Sequence, residues 1–157
     1  MSDSSASEQR IDRVASELAA CLPALHRALD RRIAAGYPHP KPPEGPLALL
    51  RYVAQHDGTT VREAAAALLM KPNNVSALVS QLTERGELER RQDGTDRRIA
   101  RLHLTATARQ RIAEVTALER GYLGEALRTL TEGEMDALGS AIGALNSLTR
   151  NLHPAAG

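Results

Sequence analysis

Apolar residues recur at steps of three and four along most of the chain, the spacing of one face of an α-helix. Near the N-terminus the pattern runs through positions 11, 14, 18, 22, 25, 29 and 33. It ends at Gly36, before a proline-rich stretch at 37–43, which favours a stiff loop. We therefore predict a disordered tail over residues 1–7, then a helix and loop over residues 8–45, with a bend at Pro23.

Three shorter helices follow, and local signals mark their ends. The first covers about residues 46–55. Thr60 is typical of an N-cap, and Glu63 three residues later completes a capping box for the second. Pro72 fits the first turn of the third helix, where its missing N–H does no harm, and Gly86 is typical of the residue after its end.

The pattern then changes to two short segments around the turn QDGTDRR at residues 92–98. These segments predict an antiparallel two-stranded ribbon that stops at Leu104. Thr105 begins a long helix, and Thr131 opens a last helix with a second capping box. The apolar positions of that last helix, 135, 138, 142, 145 and 152, keep a near-heptad spacing.

This order of elements predicts a mainly α fold with a small β-ribbon. A short helix, a tight turn, a second helix and a basic hairpin together form a winged helix–turn–helix. We predict that DNA-binding domain over residues 46–104. Dimerisation helices are predicted before it and over residues 105–157.

Charge is distributed unevenly along a chain whose net charge is only +1. The segment 90–101 holds five arginines against two aspartates, whereas residues 112–157 hold three arginines against six acidic residues. A local basic face of this kind indicates an anionic partner. Only 2% of the residues are aromatic, so the core must consist of aliphatic side chains.

Several classes of protein lack support in the sequence. The motifs GxSxG, HExxH, CxxC and the Walker loop do not occur, and the five histidines lie far apart. We expect no enzymatic activity, no metal site and no cofactor. The single cysteine, the polar N-terminus and the lack of a run of about 20 apolar residues predict a cytoplasmic protein without membrane association.

The basic ribbon is the first candidate for DNA binding. Arg97 and Arg98 lie in the predicted tip, and a planar guanidinium suits the narrow minor groove. Asp96 could brace a neighbouring arginine side chain through a charge-assisted hydrogen bond. The alternative is a solvated hairpin with ordinary surface charge.

The helix after Pro72 is the second candidate, because its first turns would enter the major groove. Asparagine and glutamine can pair with adenine, and serine can contact several base edges. The alternative for Asn73 and Asn74 is that they merely cap the helix. The predicted DNA-binding residues outside the ribbon are Thr60, Lys71, Asn73, Asn74, Ser76, Ser80 and Gln81.

From Thr59 to Thr107 the chain resembles the MarR family of bacterial transcriptional regulators. The matching residues are TVREAAAALLMKPNNVSALVSQLTERGELERR followed by QDGTDRRIARLHLT. The family's Asp-x-Arg falls on Asp96 and Arg98, and its Leu-Thr falls on residues 104–105. Flanking helices extend the similarity to about residues 8–152. Two departures are Ala77, where a basic residue is frequent, and Glu87, where an apolar residue is usual.

The resemblance implies a homodimer that reads a pseudo-palindromic operator on double-stranded DNA. It also implies release by a small phenolic or other lipophilic effector, in a crevice near His26, Tyr37, His39 and Tyr52. Apolar stripes on the first and last helices independently favour a dimer. The predicted dimerisation residues are Ile11, Val14, Leu18, Leu138, Ile142 and Leu145.

We therefore predict a sequence-specific, homodimeric transcriptional repressor released by a small molecule. One alternative is a winged-helix adaptor that binds protein and not specific DNA, which should display exposed apolar anchors. Another is a redox-sensing regulator, because one branch of the family uses a cysteine in its first helix. Against that alternative, Cys21 can be a small packing residue beside Leu18 and Leu25.

Overall fold

A computed structural model describes the backbone of residues 2–152 and the side chains of residues 5–152. Over this range the chain is mainly helical with one two-stranded sheet, which confirms the predicted fold class. The elements, in chain order, are α1 (Ser2–Gly36), α2 (Glu44–Gln55), α3 (Val61–Leu68), α4 (Pro72–Glu84), β1 (Leu88–Gln92), β2 (Ala100–Leu104), α5 (Ala106–Leu127) and α6 (Glu132–Asn151).

The sheet is an antiparallel ribbon in which Leu88 pairs with Leu104 and Gln92 pairs with Ala100. A two-stranded ribbon is marginal alone in water, and here it is anchored on the turn before α3. The Leu102 N–H donates to the Thr59 carbonyl at 2.8 Å, and the Leu102 carbonyl accepts from the Gly58 N–H at 2.9 Å. The root of the ribbon is therefore fixed to the helical domain, and its tip projects.

An aliphatic core joins α2, α3, α4 and the ribbon. It contains almost no aromatic side chain, as the composition predicts. Each large side chain buried in it contributes about 1.5–3 kcal/mol. Its fully buried members include Leu49, Val53, Ala64, Val75, Val79, Leu82, Leu88 and Leu102.

A smaller cluster joins the end of α1 to α5. Ile33 and Tyr37 pack with Val115, and the Arg32 guanidinium lies 4.2 Å from the centre of the Tyr122 ring. Gly36 allows the Tyr122 hydroxyl to approach closely, because a Cβ there would overlap it and would displace that side chain. The α1–α2 loop is thereby held against α5.

The predicted helix ends are confirmed at atomic detail. The Thr60 hydroxyl accepts from the Glu63 N–H at 3.2 Å, and the Glu63 carboxylate accepts from the Thr60 N–H at 2.8 Å. The backbone bond from Thr60 is the main reason that the pKa of Glu63 lies below its usual value. Thr131 forms the same capping box at α6. At the end of α4, Gly86 adopts a φ of +68° and allows the chain to turn into β1.

We expect Thr60→Ala to lower the free energy of unfolding by about 1 kcal/mol, because it leaves an N-terminal amide of α3 unsatisfied. In a chain of this size the melting temperature should fall by about 2–4 °C. Thermal melting followed by circular dichroism measures the change. Thr107→Ala, at an exposed position of α5, serves as the control, and equal melting of both variants would contradict the capping role.

Two predicted boundaries are wrong. α1 begins at Ser2, so residues 2–7, predicted as a tail, are helical; the good helix former Ala6 lies among them. α1 continues through Pro23 as one helix, and the bend predicted there stays a prediction. α2 begins at Glu44, two residues before the predicted start, where an acidic residue in the first turn complements the helix dipole.

Candidate nucleic-acid interface

The first turns of α4 present a polar surface. Asn73, Asn74 and Ser76 are exposed, while Val75 and Val79 on the opposite side are buried. Lys71 is the N-cap residue, and no side chain makes a capping bond there. The two asparagines therefore do not cap α4, and their amides are available to a ligand.

Ser80 and Gln81 extend this surface by one turn, and both are exposed. The Arg90 guanidinium on β1 donates to the Ser80 hydroxyl at 3.0 Å. Sequence reasoning missed Arg90 as part of this surface, because only the turn at Gly86 brings the two residues together. The bond joins α4 to the ribbon as one continuous face.

Thr60 differs from the other predicted DNA-binding residues. Its hydroxyl is committed to the capping box at the start of α3, and the residue is half-buried. The structure therefore gives Thr60 a role in the fold, and direct DNA contact by it stays a prediction.

The loop between the strands is internally hydrogen-bonded. The Asp93 N–H donates to the Ile99 carbonyl at 2.9 Å, and the Ile99 N–H donates to the Asp96 carbonyl at 3.0 Å. The Asp96 carboxylate accepts from the backbone N–H of Arg98 at 3.0 Å. The predicted brace to an arginine side chain is thus wrong, because the short aspartate side chain reaches the amide two residues on.

The five arginines of segment 90–101 fall into two groups. Three bond to neighbours in the domain: Arg90 to Ser80, Arg91 to Glu89 at 2.8 Å, and Arg101 to Asp93 at 3.2 Å. Arg101 also donates to the Gly58 carbonyl at 3.0 Å. Its bond to Asp93 is the main cause that holds the pKa of that carboxyl below its usual value.

Arg97 and Arg98 form the second group, at the tip of the ribbon. Both are exposed, and within the described chain no carboxylate lies at ion-pair distance from either guanidinium. The ribbon therefore presents two unpaired cationic side chains on a loop that other arginines hold in place. Such an arrangement can bind phosphate or enter a groove of nucleic acid.

The four predicted effector residues lie in two cavities. Tyr37 and His39 line a cavity of about 240 Å³ beside α5. His26 and Tyr52 line another of about 640 Å³, where His26 lies 3.3 Å from Asp30 and the Tyr52 ring stacks on His56. Pro42 and Leu47 line both cavities, so the two adjoin, and effector binding by these four residues stays a prediction.

Sequence reasoning missed the role of Glu87 in the smaller cavity. Its carboxylate lines the wall with Arg111, whose Nη1 lies 3.7 Å from Oε1 of Glu87. Burial raises the pKa of the Tyr37 hydroxyl above its usual value, with a further contribution from Glu114. The signal for this site was the acidic residue at a position where the family resemblance leads one to expect an apolar one.

The predicted dimerisation residues lie on the surface of a single chain. Ile11, Val14, Leu138 and Ile142 are exposed, while Leu18 and Leu145 are half-buried. α6 contains no buried residue at all. Cys21 is exposed as well, so the predicted packing role for it is wrong within one chain, because α1 projects beyond the domain there.

Two further findings concern the described residues only. No group of three or more histidine, cysteine, aspartate or glutamate side chains among them could hold a metal ion. None of their helices is both long and apolar enough to span a membrane.

Comparison with known proteins identifies a matching family model and solved structures of similar fold. Residues 43–99 match the model of the MarR family. No curated protein matches the sequence significantly. The fold is similar to that of three solved proteins whose sequences are less than 25% identical to this one.

The first is RV1404 from Mycobacterium tuberculosis, with a TM-score of 0.77, 19% identity, and coverage of 94% of this chain and 97% of that one. The second is Streptococcus pneumoniae FabT in complex with DNA, with a TM-score of 0.75, 16% identity, and coverage of 92% and 99%. The third is S. aureus MepR bound to ethidium bromide, with a TM-score of 0.61, 18% identity, and coverage of 83% and 95%.

Proposed function

We propose that this chain is a homodimeric repressor of the MarR type that binds specific double-stranded DNA. Its residues 43–99 match the MarR family model, and its fold is similar to that of FabT and RV1404. The proposal rests on two exposed guanidinium groups without a carboxylate partner in the described chain, those of Arg97 and Arg98, together with the polar first turns of α4. The complex of FabT with DNA supports the same use of this fold.

In this proposal α4 enters the major groove by its N-terminal end. Asn73 and Asn74 then reach base edges, where an amide can pair with adenine at two points. The ribbon follows the neighbouring minor groove, and the tip arginines contact its negative potential. Phosphate contacts by Lys71 and the arginines would supply affinity, while the amides supply specificity.

A second copy of the chain would cover the apolar residues of α1 and α6. These helices expose large side chains, among them Ile11, Leu25, Ile142 and Leu152, each more than half accessible. Exposed apolar residues aligned along two long helices are typical of an interface. A two-fold dimer would place the two α4 helices about 34–36 Å apart, one turn of DNA.

The adaptor alternative requires apolar anchors on the recognition face. Between residues 61 and 104, which span α3, α4 and the ribbon, the one exposed large apolar side chain is Leu69, at the turn before α4. The other exposed large apolar residues of the described chain lie on α1, α5 and α6 or, for Leu152, at the C-cap of α6. The distribution therefore favours DNA on one face and self-association on the other.

Release by a small molecule completes the proposal. The cavity beside Tyr37 lies between the α1–α2 loop, α5 and the start of the ribbon. A ligand there would therefore contact both the dimerisation helix α5 and the DNA-binding domain. MepR bound to ethidium bromide supports ligand binding by this fold. A dimer seated on its operator would block access to that DNA, and we propose repression as the regulatory outcome.

The test is a selection of genomic DNA fragments by the purified protein, followed by affinity measurements across a salt series. We expect a preferred pseudo-palindromic fragment, bound with an affinity that falls steeply with salt because bound counterions are released. Six phosphate contacts correspond to a loss on the order of 10³-fold between 50 and 200 mM salt. Weak binding, equal for every fragment, would instead support the adaptor.

A further inference from the structure

The cavity of about 240 Å³ has a largely apolar wall, and the charged residues Glu87 and Arg111 line it together. Its volume lies below the range of about 300–1,000 Å³ that suits drug-sized ligands, so it fits a compound of one or two rings. Tyr37 and His39 add two polar side chains to a wall that is otherwise aliphatic. The apolar side chains that form the wall include Leu47, Leu50, Ile112 and Val115.

Glu87 carries a buried oxygen without a partner. Its side chain is only 17% exposed, and Oε2 has no hydrogen-bond partner. Oε1 lies 3.7 Å from Nη1 of Arg111, which is too long for a hydrogen bond. Oε2 is fully buried, so a ligand in the cavity does not reach it. Oε1 is not fully buried and accepts no hydrogen bond in the described chain, so Oε1 is the oxygen at which this carboxylate lacks a donor.

The end of the cavity that Glu87 lines should bind a cation more tightly than an anion. Both Arg111 and Glu87 line the cavity, but the Arg111 side chain is 49% exposed and its charge is screened by water, whereas the Glu87 side chain is only 17% exposed. An ammonium group would supply the missing donor together with the opposite charge. An anionic head would instead lie against the carboxylate.

We propose that Glu87 recognises the effector, and that the effector is a small apolar amine, bound as its ammonium form with its rings against the aliphatic wall. This inference rests on the proposed function, for which it names the class of effector. It also accounts for an acidic residue at a position where the family resemblance implies an apolar one.

Glu87 is also placed to transmit binding. Its N–H donates to the Leu82 carbonyl at 2.8 Å, which closes the end of α4, and its carbonyl accepts from the Thr105 N–H at 3.1 Å. The next residue, Leu88, begins β1. A ligand that moves Glu87 would therefore shift α4 and the ribbon relative to α5, and the DNA-binding face would no longer match its operator.

The test compares three probes of one shape by calorimetry: 1-naphthylmethylammonium, 1-naphthylmethanol and 1-naphthoate. We expect the ammonium to bind the parent about tenfold tighter than the neutral alcohol, since a charge-assisted hydrogen bond exceeds a neutral one by about that factor. The naphthoate should bind more weakly than both, because its carboxylate would lie near that of Glu87. Glu87→Gln should remove this preference and leave the alcohol almost unchanged. Glu114→Gln, which removes a carboxylate on α5 outside the cavity wall, should behave as the parent.

Glu87→Leu provides a second variant that separates binding from folding. It removes the unsatisfied oxygen, so it should melt no earlier than the parent while losing ammonium binding. Preferential binding of the naphthoate, an unchanged ammonium affinity in Glu87→Gln, or no binding of any probe would overturn the proposal.

Binding to the isolated protein is measured without DNA, so it does not depend on the proposed function. If the protein selects no DNA, the binding results for the three probes still stand, and the failure counts against the proposed function alone. Where an operator is selected, adding 1-naphthylmethylammonium should lower the affinity of the parent protein for that operator. The operator affinity of Glu87→Gln should stay unchanged. Equal operator affinity with and without the bound ammonium would overturn its assignment as the effector class.

Discussion

Ile142→Glu should convert the proposed dimer into folded monomers and abolish high-affinity DNA binding. Ile142 is 55% exposed in a single chain and lies on an α6 that buries none of its residues there. In a two-fold dimer the substitution would place an unpaired carboxylate in the interface twice. If each costs about 2 kcal/mol, the dimer dissociation constant rises roughly thousandfold.

The loss of DNA affinity should follow from the loss of the second half-site contact. Joining two binding units typically raises the overall affinity by about 10²–10⁴, so a monomer should lose a factor in that range. Analytical ultracentrifugation measures the mass, and fluorescence anisotropy with a palindromic fragment measures the affinity.

Ser140→Glu is the matched control for this experiment. It adds the same charge to the same helix, two residues away and so on the opposite face, at an exposed position. It should remain dimeric and bind DNA like the parent. If Ile142→Glu is also dimeric with parental affinity, then the apolar face of α6 is not the interface.

Local signals in the sequence predicted the helix ends because the contacts that cap a helix lie within a few residues. Thr60 with Glu63, Thr131 with its partner, and Gly86 were all readable in this way. The antiparallel pairing of the ribbon was readable for the same reason, since its two strands are separated only by a short turn.

Contacts between distant parts of the chain were not readable. The proximity of Glu87 to Arg111 depends on how α5 packs beside the segment between α4 and β1, and no local pattern encodes that distance. The division of the effector residues between two cavities depends likewise on the path of the α1–α2 loop. The departure at Glu87 was visible in the sequence, but its consequence required the cavity.

The roles of the ribbon arginines also required the structure. From the sequence, five arginines near one turn form a single basic cluster. In the fold, Arg101 bonds to Asp93 and to the Gly58 carbonyl, so it fixes the ribbon to the turn before α3. Arg98 receives only a backbone constraint, from the carboxylate of Asp96, and its guanidinium remains unpaired with any carboxylate of the described chain.

Because Arg98 and Arg101 have different roles, two substitutions that each remove one of these arginines should have different outcomes. Arg98→Ala should keep the helicity, melting temperature and dimeric mass of the parent, because its guanidinium holds nothing in the fold. Its affinity for the selected operator should fall by about 1–3 kcal/mol, the range for one good specific contact. Arg101→Ala should in addition lower the melting temperature, because it removes the side-chain bonds to Asp93 and to the Gly58 carbonyl that help to hold the ribbon.

Two further variants separate the tip arginine from the residues around it. Asp96→Ala should lose less affinity than Arg98→Ala, because it loosens the loop but leaves the guanidinium in place. Asn74→Ala should relax the base preference at one position in each half-site, since an amide reads a base edge. If Arg98→Ala instead binds the operator like the parent but melts much earlier, then this arginine stabilises the ribbon and does not contact DNA.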